Sequence, residues 1–179
     1  MNLENKKYYI LDNIISKREL ITLYDDLVNA NVWYLSRRTH DSQVGQWPGF
    51  IVSEREQVNN YFWYGRFLGI LDNVKNNFEK QYNFSLPQKI RRMHVGAKNN
   101  TSNTDFHCDV IEPFTYTIVG FATPEWNKEW GGELNIEGET IDFIPGRFVI
   151  FKSDLRHDGN KVNKELNFWK LSLNYVLHE

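Results

Sequence analysis

Ile144-Pro145-Gly146-Arg147-Phe148-Val149-Ile150-Phe151-Lys152-Ser153-Asp154-Leu155-Arg156-His157 is the stretch on which the fold class turns. A Pro-Gly turn feeds a run of β-branched and aromatic residues, the composition of a strand, and a histidine stands just beyond its end. Comparable runs occur on either side: Lys89 to Val95, Phe114 to Ala122, Gly132 to Ile136, Thr140 to Ile144 and Phe168 to Leu177. They are separated by Asn99-Asn100, Glu137-Gly138 and Asp158-Gly159-Asn160, residue types that turns favour. Short strands at this spacing predict a mainly β architecture, a sandwich or jelly roll.

The N-terminal half has a different texture. Tyr8 to Leu11 reads as a short strand, and Ser16-Lys17-Arg18-Glu19 has the form of a capping box. Leu20, Leu23, Tyr24, Leu27 and Val28 follow at helical spacing. A second helix is expected from about Glu54 to Lys80, with Phe67, Leu68, Leu71, Val74 and Phe78 along one stripe. Both helices are expected to brace the sheet from outside. Ser36 to Gly49 is polar, holds two Gly and one Pro, and keeps neither period, so it reads as a long loop suited to a lid or a binding element. No repeat or low-complexity linker divides the chain. The expectation is one domain over residues 1–179, with helical support over 1–85 and a β core over 86–179.

Composition narrows the function classes. The chain has 179 residues, 41% hydrophobic and 25% charged, as soluble globular domains do. Its net charge of −2, with Lys and Arg dispersed, does not resemble the one-sided basic footprint of a nucleic-acid binder. No run approaches the ~20 apolar residues of a membrane span. The single cysteine, Cys108, excludes an internal disulfide and favours a reducing compartment, and no apolar leader opens the chain, so a cytoplasmic location is expected.

Three pieces carry chemistry. In Phe106-His107-Cys108-Asp109-Val110, an extended backbone would point His107 and Asp109 to one face and Cys108 to the other. Such triplets also arise by chance. His157 is the second piece, since a jelly roll can return it over the His-x-Asp pair; otherwise it is a surface histidine in a turn. Two imidazoles and one carboxylate on one side of a metal form the facial triad of non-haem Fe(II) sites. The third is Trp169-Lys170-Leu171-Ser172-Leu173-Asn174-Tyr175, where Lys170, Ser172 and Asn174 share one face. If that face is interior, a buried ammonium needs an anion, and a carboxylate ligand would supply it. The alternative is a solvated face.

In this order the pieces resemble the 2-oxoglutarate/Fe(II) dioxygenases, and most of all their prolyl 4-hydroxylase-like subgroup. Glu125 to Leu134, ending Gly-Gly-Glu-Leu, and the opening Tyr9-Ile10-Leu11-Asp12-Asn13 are similar to that subgroup's pattern. The resemblance implies a double-stranded β-helix (a cupin-like jelly roll) and a hydroxylase that converts 2-oxoglutarate and O2 to succinate and CO2. It further implies Fe(II) held by His107, Asp109 and His157, with ascorbate as a candidate reductant. Lys170, assisted by Ser172, would hold the distal carboxylate of 2-oxoglutarate; Arg156 and Lys161 are weaker rivals, because Lys170 follows His157 at a longer gap than usual. His94 and Thr117 are the remaining candidate co-substrate contacts. His94 reads equally as a packed core histidine, standing near where relatives carry tyrosine, and Phe121 departs from the pattern in the same way.

The substrate is less legible. Arg37, Arg38, His40 and Trp47 would fold over it, as the equivalent loop does in prolyl hydroxylases, and would suit a proline-containing peptide, a free amino acid or a nucleotide. Repair of alkylated nucleic acid fits poorly, since those relatives carry paired arginines late in the chain. Two readings from other classes stay open on sequence alone: a cupin-like protein binding Zn or Mn for structure, and a peptide-binding module with a chance His-x-Asp.

Overall fold

The computed structural model describes residues 6–37, 47–102 and 105–179. In chain order the elements are β1 (Tyr8–Leu11), α1 (Lys17–Val28), β2 (Tyr34–Arg37), β3 (Trp47–Glu54), β4 (Gln57–Val58), α2 (Tyr61–Tyr82), β5 (Lys89–Lys98), β6 (Tyr116–Phe121), β7 (Leu134–Ile136), β8 (Glu139–Ile141), β9 (Phe148–Lys152), β10 (His157–Gly159) and β11 (Lys170–His178).

The strands form two sheets. The larger runs β1-β9-β6-β11-β5-β3-β2, with β4 alongside β3, and the smaller runs β10-β7-β8. Alternation within single strands shows what covers each face. On β9, Phe148 and Ile150 pack with Leu23 and Leu27 of α1 and with Phe67, Leu71 and Phe78 of α2. The residues between and beyond them, Val149 and Phe151, pack instead with Leu134, Ile136 and Ile141 of the smaller sheet. The large sheet is therefore covered by helices on one side and by the small sheet on the other, which is the double-stranded β-helix with its supporting helices.

Local chemistry explains the element boundaries. The Ser16 hydroxyl accepts from the Glu19 amide while the Glu19 carboxylate accepts from the Ser16 amide, closing the capping box that starts α1. The second helix begins at Tyr61 rather than near Glu54. Asn60 caps it by accepting from the Trp63 amide, and Arg55 and Glu56 hold positive φ in the tight turn between β3 and β4. The expected long loop is also shorter than the sequence reading has it. Tyr34–Arg37 and Trp47–Glu54 pair as antiparallel strands, and β3 continues onto β5. The N-terminal part thus contributes β1 to β4 as well as helices.

One glycine is required by packing. Gly120 on β6 lies opposite Phe148 on β9, and a Cβ there would fall 2.4 Å from the Phe148 ring. Gly120→Ala is expected to destabilise the protein by about 1–3 kcal/mol through overpacking, read as a lower denaturant midpoint at unchanged m-value.

Candidate metal centre and its pocket

His107 and His157 are backbone partners. Each amide donates to the other's carbonyl, at 3.0 and 2.9 Å, and the Asp109 amide donates to the Ser153 carbonyl at 3.0 Å. Residues 107–109 are thereby laid beside 153–157 as an isolated bridge rather than as the regular strand expected from the sequence. The result places His Nδ1 or Nε2 and carboxylate oxygens of His107, Asp109 and His157 within 4.8 Å of one another.

Their hydrogen bonds prepare these groups for a cation. His107 Nδ1 lies 2.9 Å from the Asp105 carbonyl, and His157 Nδ1 lies 3.0 Å from the Leu155 carbonyl. A carbonyl only accepts, so both Nδ1 atoms carry the proton and both Nε2 lone pairs are left for a metal. The His107 imidazole is pushed below its ordinary pKa, first by burial and then by His157 beside it. Asp109 is fixed at both oxygens, Oδ1 by Arg92 Nη2 at 2.5 Å and Oδ2 by the Thr117 hydroxyl at 2.8 Å. Burial by itself would raise its carboxyl; His157, Arg92 and Thr117 outweigh burial and hold it below the usual carboxylate range. Two imidazoles that present Nε2 and a carboxylate kept ionised fit a divalent first-row metal.

The triad borders a cavity of about 220 Å³. Its floor is built from cross-strand pairs of β5 and β11: Asn174 opposite His94, Ser172 opposite Gly96, and Lys170 opposite Lys98. Val119 and Phe121 of β6 extend it, and Leu134 and Gly159 of the smaller sheet stand across from it. Lys170 is buried, donates to the Gly132 carbonyl at 2.5 Å and sits over the Phe143 ring. Burial, then the charge of Lys98, pushes the Lys170 ammonium down to about 7.

A sequence model of the 2OG-Fe(II) oxygenase superfamily matches residues 91–178. The chain belongs to that superfamily. Solved structures with the same fold include an oxidoreductase of the 2OG-Fe(II) oxygenase family from Burkholderia pseudomallei, with a TM-score of 0.73 and 17% identity over 97% of this chain and 86% of that one. A Pseudomonas putida prolyl-4-hydroxylase gives 0.69 and 12% over 99% and 96%. A prolyl hydroxylase from Trichoplax adhaerens, solved with a hypoxia inducible factor peptide fragment, gives 0.66 and 14% over 98% and 85%. No curated protein matches the sequence. As a member of this superfamily the protein is a dioxygenase that uses Fe(II) and 2-oxoglutarate.

Against this family's requirements the predicted residues fall as follows. His107, Asp109 and His157 converge, and Lys170, Ser172 and His94 line the same cavity. Thr117 stands outside the lining, behind Asp109, where its hydroxyl also lies 2.9 Å from that of Ser153. Cys108 does not turn away: it borders the cavity, and its thiol donates to the Asp154 carbonyl. Trp126 braces the Gly131-Gly132 turn by donating to the Gly131 carbonyl at 2.9 Å. Arg38 and His40 lie outside the described residues; Arg37 and Trp47 are described by their backbone, as partners across β2 and β3. The sequence reading gave no site role to Arg92, Lys98 or Glu133, although Glu133 stands in the Gly-Gly-Glu-Leu stretch it singled out. For the first two the signal was present: Arg92, His94, Gly96 and Lys98 alternate with the buried Met93, Val95 and Ala97.

Because Thr117 and Arg92 orient the candidate ligand Asp109, their loss should be read in the metal. Thr117→Val is expected to weaken Fe(II) binding roughly 10- to 100-fold while leaving the fold intact, as measured by anaerobic metal titration.

Proposed function

We propose that this dioxygenase hydroxylates a C–H bond of a peptide, in the manner of the prolyl hydroxylases, with His107, Asp109 and His157 as iron ligands and Lys170, aided by Ser172, as the seat of the co-substrate's distal carboxylate. The observation that carries the site assignment is the tautomer pattern. Both Nδ1 atoms are engaged by carbonyls, so both Nε2 atoms are offered beside one ionised carboxylate, in a cavity that ends at an ammonium. Iron bound there, with 2-oxoglutarate and O2, supplies the oxidising power. The chain's own residues hold the carboxylate end, keep Asp109 ionised and bury the reacting centre between the sheets. A peptide substrate is supported by the segment that carries His107 and Asp109, where Phe106, Ile111 and Phe114 are exposed and would meet an extended apolar chain. The single thiol, its pKa raised first by burial, suits a reducing, cytoplasmic setting.

Two measurements test the reading. Anaerobic addition of Fe(II) and then 2-oxoglutarate should produce a visible charge-transfer band, which a cupin-like Zn or Mn protein would not give. Succinate formation should rise with proline-containing peptides, accompanied by a +16 Da product in the mass spectrum. Stimulation by free amino acids or nucleotides and not by peptides would overturn the substrate assignment while leaving the iron site standing.

A further inference from the structure

Ser153 stands just past the end of β9, is fully buried, and lies with its hydroxyl 2.9 Å from that of Thr117 on β6. Distance alone leaves the donor of that bond open; the next bond decides it. A hydroxyl carries one proton, and an ionised carboxylate can only accept. Thr117 gives its proton to Asp109 Oδ2 at 2.8 Å. The Ser153 proton therefore points at the Thr117 oxygen, and the three groups form one directed chain from Ser153 through Thr117 to Asp109. Ser153 holds the same segment by its main chain. Its carbonyl accepts from the Asp109 amide at 3.0 Å and the Val110 amide at 3.3 Å, and its amide donates to the Thr115 carbonyl at 3.1 Å. One buried serine thus meets Asp109 twice, directly through the backbone and indirectly through a side chain.

The two links have separate consequences. The main-chain bonds belong to any residue at position 153, so a substitution there leaves them in place and isolates the hydroxyl. A hydroxyl that accepts a hydrogen bond is polarised and donates a stronger one, the more so in a dry interior. With Ser153 donating to one of its lone pairs, the Thr117 hydroxyl is also stopped from rotating, and its proton stays aimed at Asp109. Arg92 holds Oδ1 of that carboxylate from another direction, so both of its oxygens are fixed. We propose that Ser153 is a positioning residue for the iron site: through Thr117 its hydroxyl sets the orientation and donor strength that the Asp109 carboxylate presents to the metal. This rests on Asp109 being an iron ligand, as proposed above.

The test is a double-mutant cycle read in metal binding. Co(II), whose visible bands report the geometry and strength of its ligands, is titrated into full-length wild type, Ser153→Ala, Thr117→Val and the double variant. Ser153→Ala should weaken Co(II) about 3- to 10-fold, less than the loss of Thr117, and should shift the bands of the loaded protein. In the Thr117→Val background the same substitution should change affinity by less than about twofold, because the hydroxyl has nothing left to act through. Ser153→Cys keeps the volume with a weaker donor; it should fall between wild type and Ser153→Ala, and it carries the test should the alanine variant fold poorly. Equal weakening in both backgrounds, or weakening with unshifted bands, is what a loosened core would give and would overturn the relay, as would wild-type affinity in Ser153→Ala. A wild type that takes up no stoichiometric Co(II) would instead overturn the reading of the triad, and the relay with it.

Discussion

His107→Ala and His157→Ala are each expected to abolish stoichiometric Fe(II) binding, and with it the turnover of 2-oxoglutarate. Four-ligand structural zinc sites bind with about 10–16 kcal/mol, so each ligand is worth roughly 3 kcal/mol, and removing one from a set of three should cost more than two orders of magnitude in affinity. The protein has no histidine or carboxylate placed to substitute among the described residues, since the one group of metal-ready side chains is the triad itself. The apo fold should survive, because His107 holds a lowered pKa in a crowded site. For a base depressed below its unfolded value, the unfolded chain takes up protons first as pH falls through about 6.5, so the wild-type apo protein loses stability there. His107→Ala removes that loss. Iron content per chain and the charge-transfer band check the first expectation, and thermal melting from pH 7 to 5 checks the second. An alanine variant that keeps one tightly bound iron would remove that histidine from the ligand set.

Asp109→Ala should behave differently. Its carboxylate neutralises Arg92 and accepts from Thr117, so truncation leaves a half-buried guanidinium without its partner. Loss of iron should therefore come with a lower melting temperature, which separates a ligand that is also a structural ion-pair partner from the two histidines.

The candidate ligands were legible because their chemistry is local: a His-x-Asp pair, a histidine after a strand, and polar residues alternating along β11. How they meet was not. The carbonyls that set each histidine's tautomer lie two residues upstream, but the bridge joining His107 to His157 spans the long interval that folds β6 through β9 back on themselves. Nothing in either segment names the other as its partner. The strand β3 was hidden by Trp47-Pro48-Gly49, whose proline and glycine read as loop although Phe50-Ile51-Val52 is apolar and pairs with β5. Lys98 escaped for a different reason. The alternation that exposes it was applied to β11 and not to β5, where Arg92, His94, Gly96 and Lys98 follow the same rule. A polar face on one interior strand implies a polar face on its neighbour, because a buried ammonium needs polar company on both.

If Lys170 seats the co-substrate as proposed, the lysine end of the cavity should make co-substrate affinity strongly dependent on pH. Burial pushes Lys170 down to about 7 and Lys98 down to about 8, so near pH 8.5 both are largely neutral before anything binds. A dianion prefers the charged forms, so its binding draws protons into the pocket. The dissociation constant of 2-oxoglutarate should be nearly flat below pH 7 and then rise by as much as tenfold per pH unit for each proton taken up. Lys170→Met should bind about 10- to 100-fold more weakly at pH 6.5, with the gap to wild type narrowing as pH rises. The apo protein carries the mirror image of this effect. A lysine depressed from 10.5 leaves the unfolded chain binding more protons between about 7 and 10.5, so apo stability should climb across that interval. Calorimetry in buffers of different ionisation enthalpy counts the protons directly. Wild-type affinity that stays constant from pH 6.5 to 8.5, with no proton uptake, would mean that the distal carboxylate is held by something other than Lys170.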